Sequence, residues 1–222
     1  MSASLLIGND IVYLKAARLG GKDQHQAFLN KILSAEEQQI LRTSDSPALT
    51  LWKFWSAKEA AYKILKKLEP QMVFSPTNLH VQESGIVKTP VADLKVSWTY
   101  DSEYLHCVAV PTNQACTPLI AVEQQSAVIQ NQKTVLSAPE AASAKSEASI
   151  AVRLLAKKLL TQAGYPNAEI VRMRISEYDW GPPVVWPHGH GKNTPGPQID
   201  ISLSHDGPWV AAAITFIAPE SL

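Results

Sequence analysis

Hydrophobic residues recur most regularly between Ser46 and Glu69, where they form two rows at helical spacing. One row holds Phe54, Ala57, Ala61, Ile64 or Leu65, and Leu68, and the other holds Trp52, Trp55, Glu59 and Tyr62. A helix that is apolar on two faces is largely buried. Ser46-Pro47 supplies a cap and a first-turn proline, and Glu69-Pro70 ends the pattern. The sequence therefore predicts a long buried helix through Leu68.

Shorter patterns predict the elements around this helix. Ser34-Ala35-Glu36-Glu37 has the form of a capping box and predicts a helix to about Leu41. Strand-like runs occur at Leu5–Val12, Leu79–Gln82, Leu94–Trp98 and Leu105–Val110. Later in the chain we expect a helix over 148–163, a strand near 170–175, a Pro/Gly/His-rich loop over 181–197, and a hairpin of 199–204 and 209–217 around Asp206-Gly207. The pattern indicates an α+β fold.

Composition excludes more than it identifies. The 222 residues carry 20 basic and 20 acidic side chains, so a nucleic-acid partner is not indicated. Cys107 and Cys116 fit no metal or redox spacing. The apolar start at Leu5-Leu6-Ile7 is too short for a signal peptide, and no run has membrane-spanning length. We expect a soluble cytoplasmic protein that does not contact a membrane.

Glu59 is the unusual member of the long helix, because a buried carboxylate must be paired or coordinated. Lys63 follows it by one helical turn, in the order that favours an ion pair. A structural Glu–Lys pair is one interpretation, and a ligand for a bound group is the other.

The two halves of the chain resemble each other. Residues 94–101 match residues 199–206, and residues 61–65 match residues 151–155. The helix match pairs Glu59 with Ser149. The same order of elements, a long helix followed by a hairpin, predicts a pseudo-twofold duplication of two subdomains, each a long helix on a small, mainly antiparallel sheet.

Polar groups are distributed unequally between these halves, because Ser204-His205 in the last hairpin corresponds to Thr99-Tyr100 in the earlier one. Each half thus keeps groups that the other lacks. The stretch 123–146 is rich in Gln, Ala and Ser and contains Pro139, which is typical of a mobile linker. We expect a first half over 1–122, this linker, and a second half over 147–222.

Three motifs together resemble the 4′-phosphopantetheinyl transferases. Gly8-Asn9-Asp10-Ile11-Val12 is similar to their Gly-x-Asp-(Ile/Val) segment. Trp55-Ser56-Ala57-Lys58-Glu59-Ala60 matches their (Trp/Phe)-x-x-Lys-Glu-(Ala/Ser) signature, with Lys63 at the place of a further family lysine. Ser202-Leu203-Ser204-His205, followed by Trp209–Ala213, matches their Ser-x-Ser-His hairpin. The N-terminal half resembles one holo-acyl-carrier-protein synthase subunit, fused here to a second, diverged half.

The resemblance implies the 4′-phosphopantetheinyl transferase fold and transfer of the phosphopantetheine group of coenzyme A to a carrier-protein serine, with release of 3′,5′-ADP. Asp10 and Glu59 would be the Mg²⁺ ligands, with Glu59 also in a catalytic role. Lys63 would neutralise the leaving diphosphate, and Lys58 would touch cofactor phosphates. Ser204 and His205 would bind the 3′-phosphate or ribose region.

Two departures from the family pattern favour an alternative, a catalytically silent module that binds coenzyme A or a carrier protein. Val12 stands where longer relatives have a second acid, and Pro182 stands where they have a basic residue. The basic residue that could replace the latter is one of Arg153, Arg172, Arg174 and Lys192. We expect a monomer that is an internal pseudo-dimer, and carrier docking charges at Lys15, Arg18, Lys22 and Lys31.

Overall fold

The computed structural model describes residues 5–114, 117–131, 135–175, 180–186 and 199–216. The chain forms two compact units. The N-terminal unit is Gly8–Asn113, and the C-terminal unit combines Met1–Ile7 with Gln114–Leu222. Each unit has helices and antiparallel strands, which confirms the predicted α+β class.

The N-terminal unit contains one long helix, three shorter α-helices and a five-stranded antiparallel sheet in the order β1-β5-β4-β3-β2. Its elements are β1 (Gly8–Tyr13), α1 (Leu14–Leu19), α2 (Gln26–Ile32), α3 (Ala35–Thr43), α4 (Pro47–Leu68), β2 (His80–Val81), β3 (Ile86–Lys88), β4 (Leu94–Tyr100) and β5 (Tyr104–Pro111). Short 3-10 helices occupy Lys22–Gln24 and Pro76–Asn78.

The C-terminal unit has a three-stranded sheet in the order β6-β10-β9 and a separate two-stranded sheet, β7-β8. Its elements are β6 (Leu119–Gln124), α5 (Gln125–Gln130), α6 (Ala138–Ser143), α7 (Glu147–Gln162), β7 (Glu169–Arg174), β8 (Trp180–Trp186), β9 (Ile199–Asp206) and β10 (Trp209–Phe216). Helix α7 packs on this unit's core with the inner residues of β9 and β10.

Helix α4 begins and ends where the sequence predicts. Pro47 lies in its first turn, and its small and aliphatic residues face the unit's core. Ala57, Ala60 and Ala61 are fully buried. Leu68 is the exception in the predicted apolar row, since it is 40% exposed in the last turn.

The hairpin β9–β10 is also as predicted. Gly207 adopts a φ of 52°, which glycine permits at no steric cost and which the tight turn after Asp206 requires. Strand β9 continues to Asp206, two residues beyond the expected end, because Asp206 still pairs with Trp209.

The segment 123–146 differs from the expected linker. Strand β6 continues through Gln124 and pairs with β10, which places it in the C-terminal unit and moves the division between units to Asn113/Gln114. The Ala/Ser-rich stretch forms α6, whose first turn is a capping box between Ser137 and Glu140. Helix α6 has no apolar stripe, and the buried carboxylate of Glu140 fixes it instead.

Some expectations fall partly or wholly outside the described residues. Residues 181–186 of the expected Pro/Gly/His-rich loop lie in β8. The rest of that loop, including Lys192, lies outside the described residues, as does Cys116. In the part of the chain that the structure describes, no helix has both the length and the apolar character needed to cross a bilayer.

Candidate functional site

A close contact between β1 and α4 brings the candidate acids of the N-terminal unit together. A Cβ atom on Gly8 would lie 1.9 Å from the carbonyl oxygen of Ala60, so only glycine fits here. Side chains two apart on a strand share a face. Asp10 therefore lies on the same side of β1 as Gly8, toward the turn of α4 that carries Glu59.

Lys63 links the strand to the helix. Its Nζ donates to the main-chain oxygen of Asn9 at 2.6 Å and lies 3.2 Å from Oδ1 of Asp10. Both charged side chains are mostly buried. The structure thus pairs Lys63 with Asp10, on the neighbouring strand, whereas helical spacing alone predicts a pair with Glu59.

Glu59 is half-buried and lies within the field of both charges. Burial raises its pKa above the ordinary 4.5, the charge of Asp10 raises it further, and Lys63 opposes these effects in part. An acid whose ionisation is disfavoured by burial and by a second carboxylate is suited to accept a proton or to bind a cation.

Two converging carboxylates are compatible with Mg²⁺, which commonly takes one or two protein carboxylates and completes its shell with water and substrate phosphates. Among the described residues, no group of three or more acids, histidines or cysteines forms a ready-made metal cage. Val12 is a core residue, 4% exposed, so it adds no oxygen ligand on β1. The donor set fits a metal shared with a phosphate substrate.

Lys58 does not have the expected role of a phosphate contact. Its side chain is completely buried, and its Nζ donates to Glu37 Oε2 at 2.6 Å, to the Ile32 oxygen at 2.6 Å and to the Pro76 oxygen at 2.9 Å. All three ammonium protons are used inside the unit. Helical position alone could not distinguish this lysine from an exposed one.

Ser204 and His205 lie near the end of β9 in the C-terminal unit. Ser204 is buried opposite Ala211, whereas His205 is exposed opposite Val210. Consecutive strand residues face opposite sides of a sheet, so the two side chains do not share a face. Their predicted contacts with the 3′-phosphate or ribose remain predictions.

The arginines that could replace the missing basic residue near Pro182 have different surroundings. Arg153 is buried and donates to Ser149 and Ser143, which commits it to the interior. Arg172 donates to the main-chain oxygens of Gly181 and Trp180, on the neighbouring strand.

Arg174 stacks on the ring of Trp180, with its guanidinium carbon 5.4 Å from the ring centroid. Arg174 is exposed, whereas Arg153 is buried and Arg172 is half-buried. Of the three arginines that the structure describes, Arg174 is thus the most accessible to a phosphate. The sequence offered no signal for these differences.

Sequence reasoning missed two parts of this site. The oxygen of Asn9 receives the shortest bond from Lys63, but a main-chain acceptor leaves no mark in the sequence. His106 on β5 is buried, and burial together with Lys63 lowers its pKa to about 4. A single histidine in an apolar strand is not by itself indicative of a site.

Comparisons with known proteins agree with the motifs. The family model of the 4′-phosphopantetheinyl transferase superfamily matches residues 6–117, half of the chain. The chain belongs to this superfamily, whose activity is phosphopantetheinyl transfer. No curated protein matches.

Among solved structures, the chain is similar to the holo-[acyl-carrier-protein] synthase of Thermotoga maritima. The two are 13% identical over 61% of this chain and 80% of that one, with a TM-score of 0.35. This similarity is weak, and the family model carries the assignment.

Proposed function

We propose that this protein transfers the 4′-phosphopantetheine group of coenzyme A to a serine of an acyl or peptidyl carrier protein, with Mg²⁺, and releases 3′,5′-ADP. The observation that supports it is the convergence of Asp10, Glu59 and Lys63 at the β1–α4 contact of a superfamily member.

The reaction breaks one phosphoanhydride bond and forms one phosphoester bond. The serine oxygen attacks the phosphorus that carries the pantetheine, and its proton goes to Glu59, which lies beside Asp10 and Lys63 at this contact. The electron pair of the broken bond leaves on 3′,5′-ADP. A bound Mg²⁺ would offset the charge of the pyrophosphate.

Lys63 has two roles in this proposal. Its bonds to Asn9 and Asp10 hold its ammonium beside the two acids, so it needs no reorganisation to stabilise a developing negative charge. Its contact with Oδ1 also orients the Asp10 carboxylate. Ser204 and His205 would bind the 3′-phosphate or the ribose.

The carrier protein would dock through basic side chains near β1. Lys15, Arg18, Lys22 and Lys31 are all exposed, and carrier proteins are generally acidic. Lys22 is less free than the others, because its Nζ lies 4.9 Å from the ring centroid of Phe28. We therefore expect Lys15, Arg18 and Lys31 to contribute more than Lys22 to the rate of encounter.

The direct test is the intact mass of an apo carrier protein after incubation with this protein, coenzyme A and Mg²⁺. We expect the mass of one phosphopantetheine group to be added. Asp10→Asn and Glu59→Gln should each reduce the rate by about 10²-fold or more. Asp93→Asn is the matched control, because Asp93 pairs with Lys88 at the surface of the same unit.

The alternative is a silent module that binds coenzyme A or a carrier protein, and buried Val12 favours it, since this strand offers one acid where longer relatives have two. Calorimetry that detects coenzyme A binding, without any mass added to several carriers, would support this alternative over the transferase.

A further inference from the structure

Each unit contains a buried ion pair built around the first turn of a short helix. In the N-terminal unit, Glu37 Oε2 accepts from the main-chain nitrogen of Ser34 at 2.8 Å and from Lys58 Nζ at 2.6 Å. The other carboxylate oxygen of Glu37 accepts from the main-chain nitrogen of Val81 at 2.8 Å. One carboxylate thus joins a helix cap, a strand and the long helix.

The C-terminal unit repeats this arrangement with different residues. Glu140 Oε2 accepts from the main-chain nitrogen of Ser137 at 2.7 Å, and Glu140 Oε1 accepts from that of Ile170 at 2.8 Å. Lys157 Nζ lies 3.0 and 3.1 Å from the two oxygens. In both units a glutamate joins a cap serine, a main-chain nitrogen of a strand and a lysine of the long helix. This shared arrangement supports common descent of the units over coincidence.

These two networks set the register between the long helices. If Lys58 of α4 corresponds to Lys157 of α7, then the next residue, Glu59, corresponds to Lys158. This replaces the sequence match of Glu59 with Ser149. Ser149 lies in the first turn of α7, where its nitrogen donates to the cap residue Ser146, whereas Glu59 lies in the interior of α4.

The strands give a second, independent register. In the N-terminal unit, Asp10 lies opposite Cys107 on β5, which lies opposite Trp98 on β4. Matching residues 94–101 with 199–206 places Leu203 at the position of Trp98.

The same ladder can then be followed in the C-terminal unit. Leu203 lies opposite Ala212, and Ala212 lies opposite Ala121 on β6. Ala121 therefore corresponds to Asp10, and Glu123, two residues further on the same face, corresponds to Val12. The C-terminal unit lacks the first acid of the strand but has an acid at the second position.

Glu123 and Lys158 meet in the structure. The distance from Lys158 Nζ to Glu123 Oε1 is 2.5 Å, and the side chains are 56% and 31% exposed, respectively. The N-terminal unit places two acids, Asp10 and Glu59, and one base, Lys63, at this helix–strand contact. The C-terminal unit places one acid and one base there, and these neutralise each other.

We propose that the Glu123–Lys158 pair is a second, converted copy of the cation site, in which the ammonium of Lys158 takes the place of a divalent ion. This inference rests on the proposed function for the identity of the first site. An ammonium offers no open coordination position, so the contact of Glu123 and Lys158 cannot hold a metal that is shared with a pyrophosphate. Among the described residues, this leaves the contact of Asp10 and Glu59 as the candidate cation site.

The test restores the second site and counts bound Mn²⁺ by the loss of the free-ion electron paramagnetic resonance signal. Glu59→Gln serves as the background, so that the first site does not contribute. On this background, Lys158→Glu should add one Mn²⁺ per chain, bound between positions 123 and 158. Lys158→Gln is the matched control, because it removes the ammonium without adding a ligand, and it should add none.

Thermal unfolding supplies a second measurement that also reports whether each variant folds. Without metal, Lys158→Glu sets two carboxylates against each other and should lower the Tm. Mn²⁺ at tenfold excess over its Kd should raise that Tm by roughly 3 °C or more, with no comparable rise for Lys158→Gln.

Equal Mn²⁺ binding by the glutamate and glutamine variants would overturn the inference. This result would be distinct from a failure of the proposed function, which would appear as equal Mn²⁺ binding by the unaltered protein and by Glu59→Gln.

Discussion

Gly8 lies directly against the main-chain oxygen of Ala60, and this contact between β1 and α4 determines how near Asp10 comes to Glu59. The helix contributes small residues on its side, since Ala57, Ala60 and Ala61 are all fully buried. The strand that carries one acid and the helix that carries the other thus approach closely because Gly8 has no side chain to meet the Ala60 oxygen.

We predict that Gly8→Ala destabilises the N-terminal unit and abolishes transfer. The new methyl group would overlap the Ala60 oxygen, so the strand must move away, at a cost of about 1–3 kcal/mol or more. Urea unfolding measures the stability. Gly20→Ala is the control, because its Cβ would meet its nearest neighbour at 3.5 Å. Equal stability of the two variants would contradict the packing argument.

The parts of the fold that were predictable are those with a local signal. The two-row pattern of α4, the capping box at Ser34 and the Asp206-Gly207 turn each have a local physical cause. Strand β6 is fixed by its pairing with β10, which is a long-range contact. Helix α6 has the same local signal as α3, a capping box from Ser137 to Glu140, but its Ala/Ser-rich composition led to the interpretation as a linker, and the pairing of Glu140 with Lys157 is long-range. Such long-range partners cannot be read from spacing.

The candidate site shows the same limit. Asp10, Glu59 and Lys63 were identified from motifs, and the structure brings these residues together on β1 and α4. The motif does not show that the Lys58 side chain points into the interior of the unit, although Lys58 is adjacent to Glu59. A helix turns by about 100° per residue, so neighbours point to different surroundings.

Lys58 gives a prediction that separates a structural role from cofactor binding. Lys58→Met leaves the buried carboxylate of Glu37 without its counter-charge, so it should cost about 3–5 kcal/mol in unfolding free energy. Adding Glu37→Gln should recover part of that loss. Below the unfolding temperature, KM for coenzyme A should not change. A raised KM for coenzyme A with unchanged stability would show that Lys58 binds the cofactor instead.

His106 predicts how stability depends on pH. The ordinary pKa of a histidine is 6.5, but in the folded protein the pKa of His106 is about 4, because burial and Lys63 disfavour its charged form. The unfolded chain therefore binds more protons between these values, and stability is lost as the pH falls from 6.5 toward 4. At about 1.4 kcal/mol per pKa unit, this contribution is roughly 3 kcal/mol.

Replacement of His106 by glutamine should remove much of that slope. Urea unfolding at a series of pH values measures it, and His80→Gln is the control, because His80 is exposed in the same unit. A slope that is unchanged in the His106 variant would show that other groups carry the acid sensitivity.

Glu59 should support catalysis but destabilise the folded protein. One substitution can therefore abolish the activity and raise the stability. Its pKa is raised in the folded state, so the favourable contribution of its protonated form is present at low pH and is lost as the pH rises through the raised value. In metal-free protein at neutral pH, Glu59→Gln should therefore raise the Tm, while it abolishes transfer.

The causes of that raised pKa can be tested one at a time by carboxyl-carbon NMR titration with a chelator present. Asp10→Asn removes a nearby negative charge, so the pKa of Glu59 should fall, but burial should still hold it above 4.5. Lys63→Met removes the opposing positive charge, so the pKa should rise further. If neither substitution moves it, the electrostatic coupling of Asp10, Glu59 and Lys63 is absent, and the argument for Glu59 as the base is lost with it.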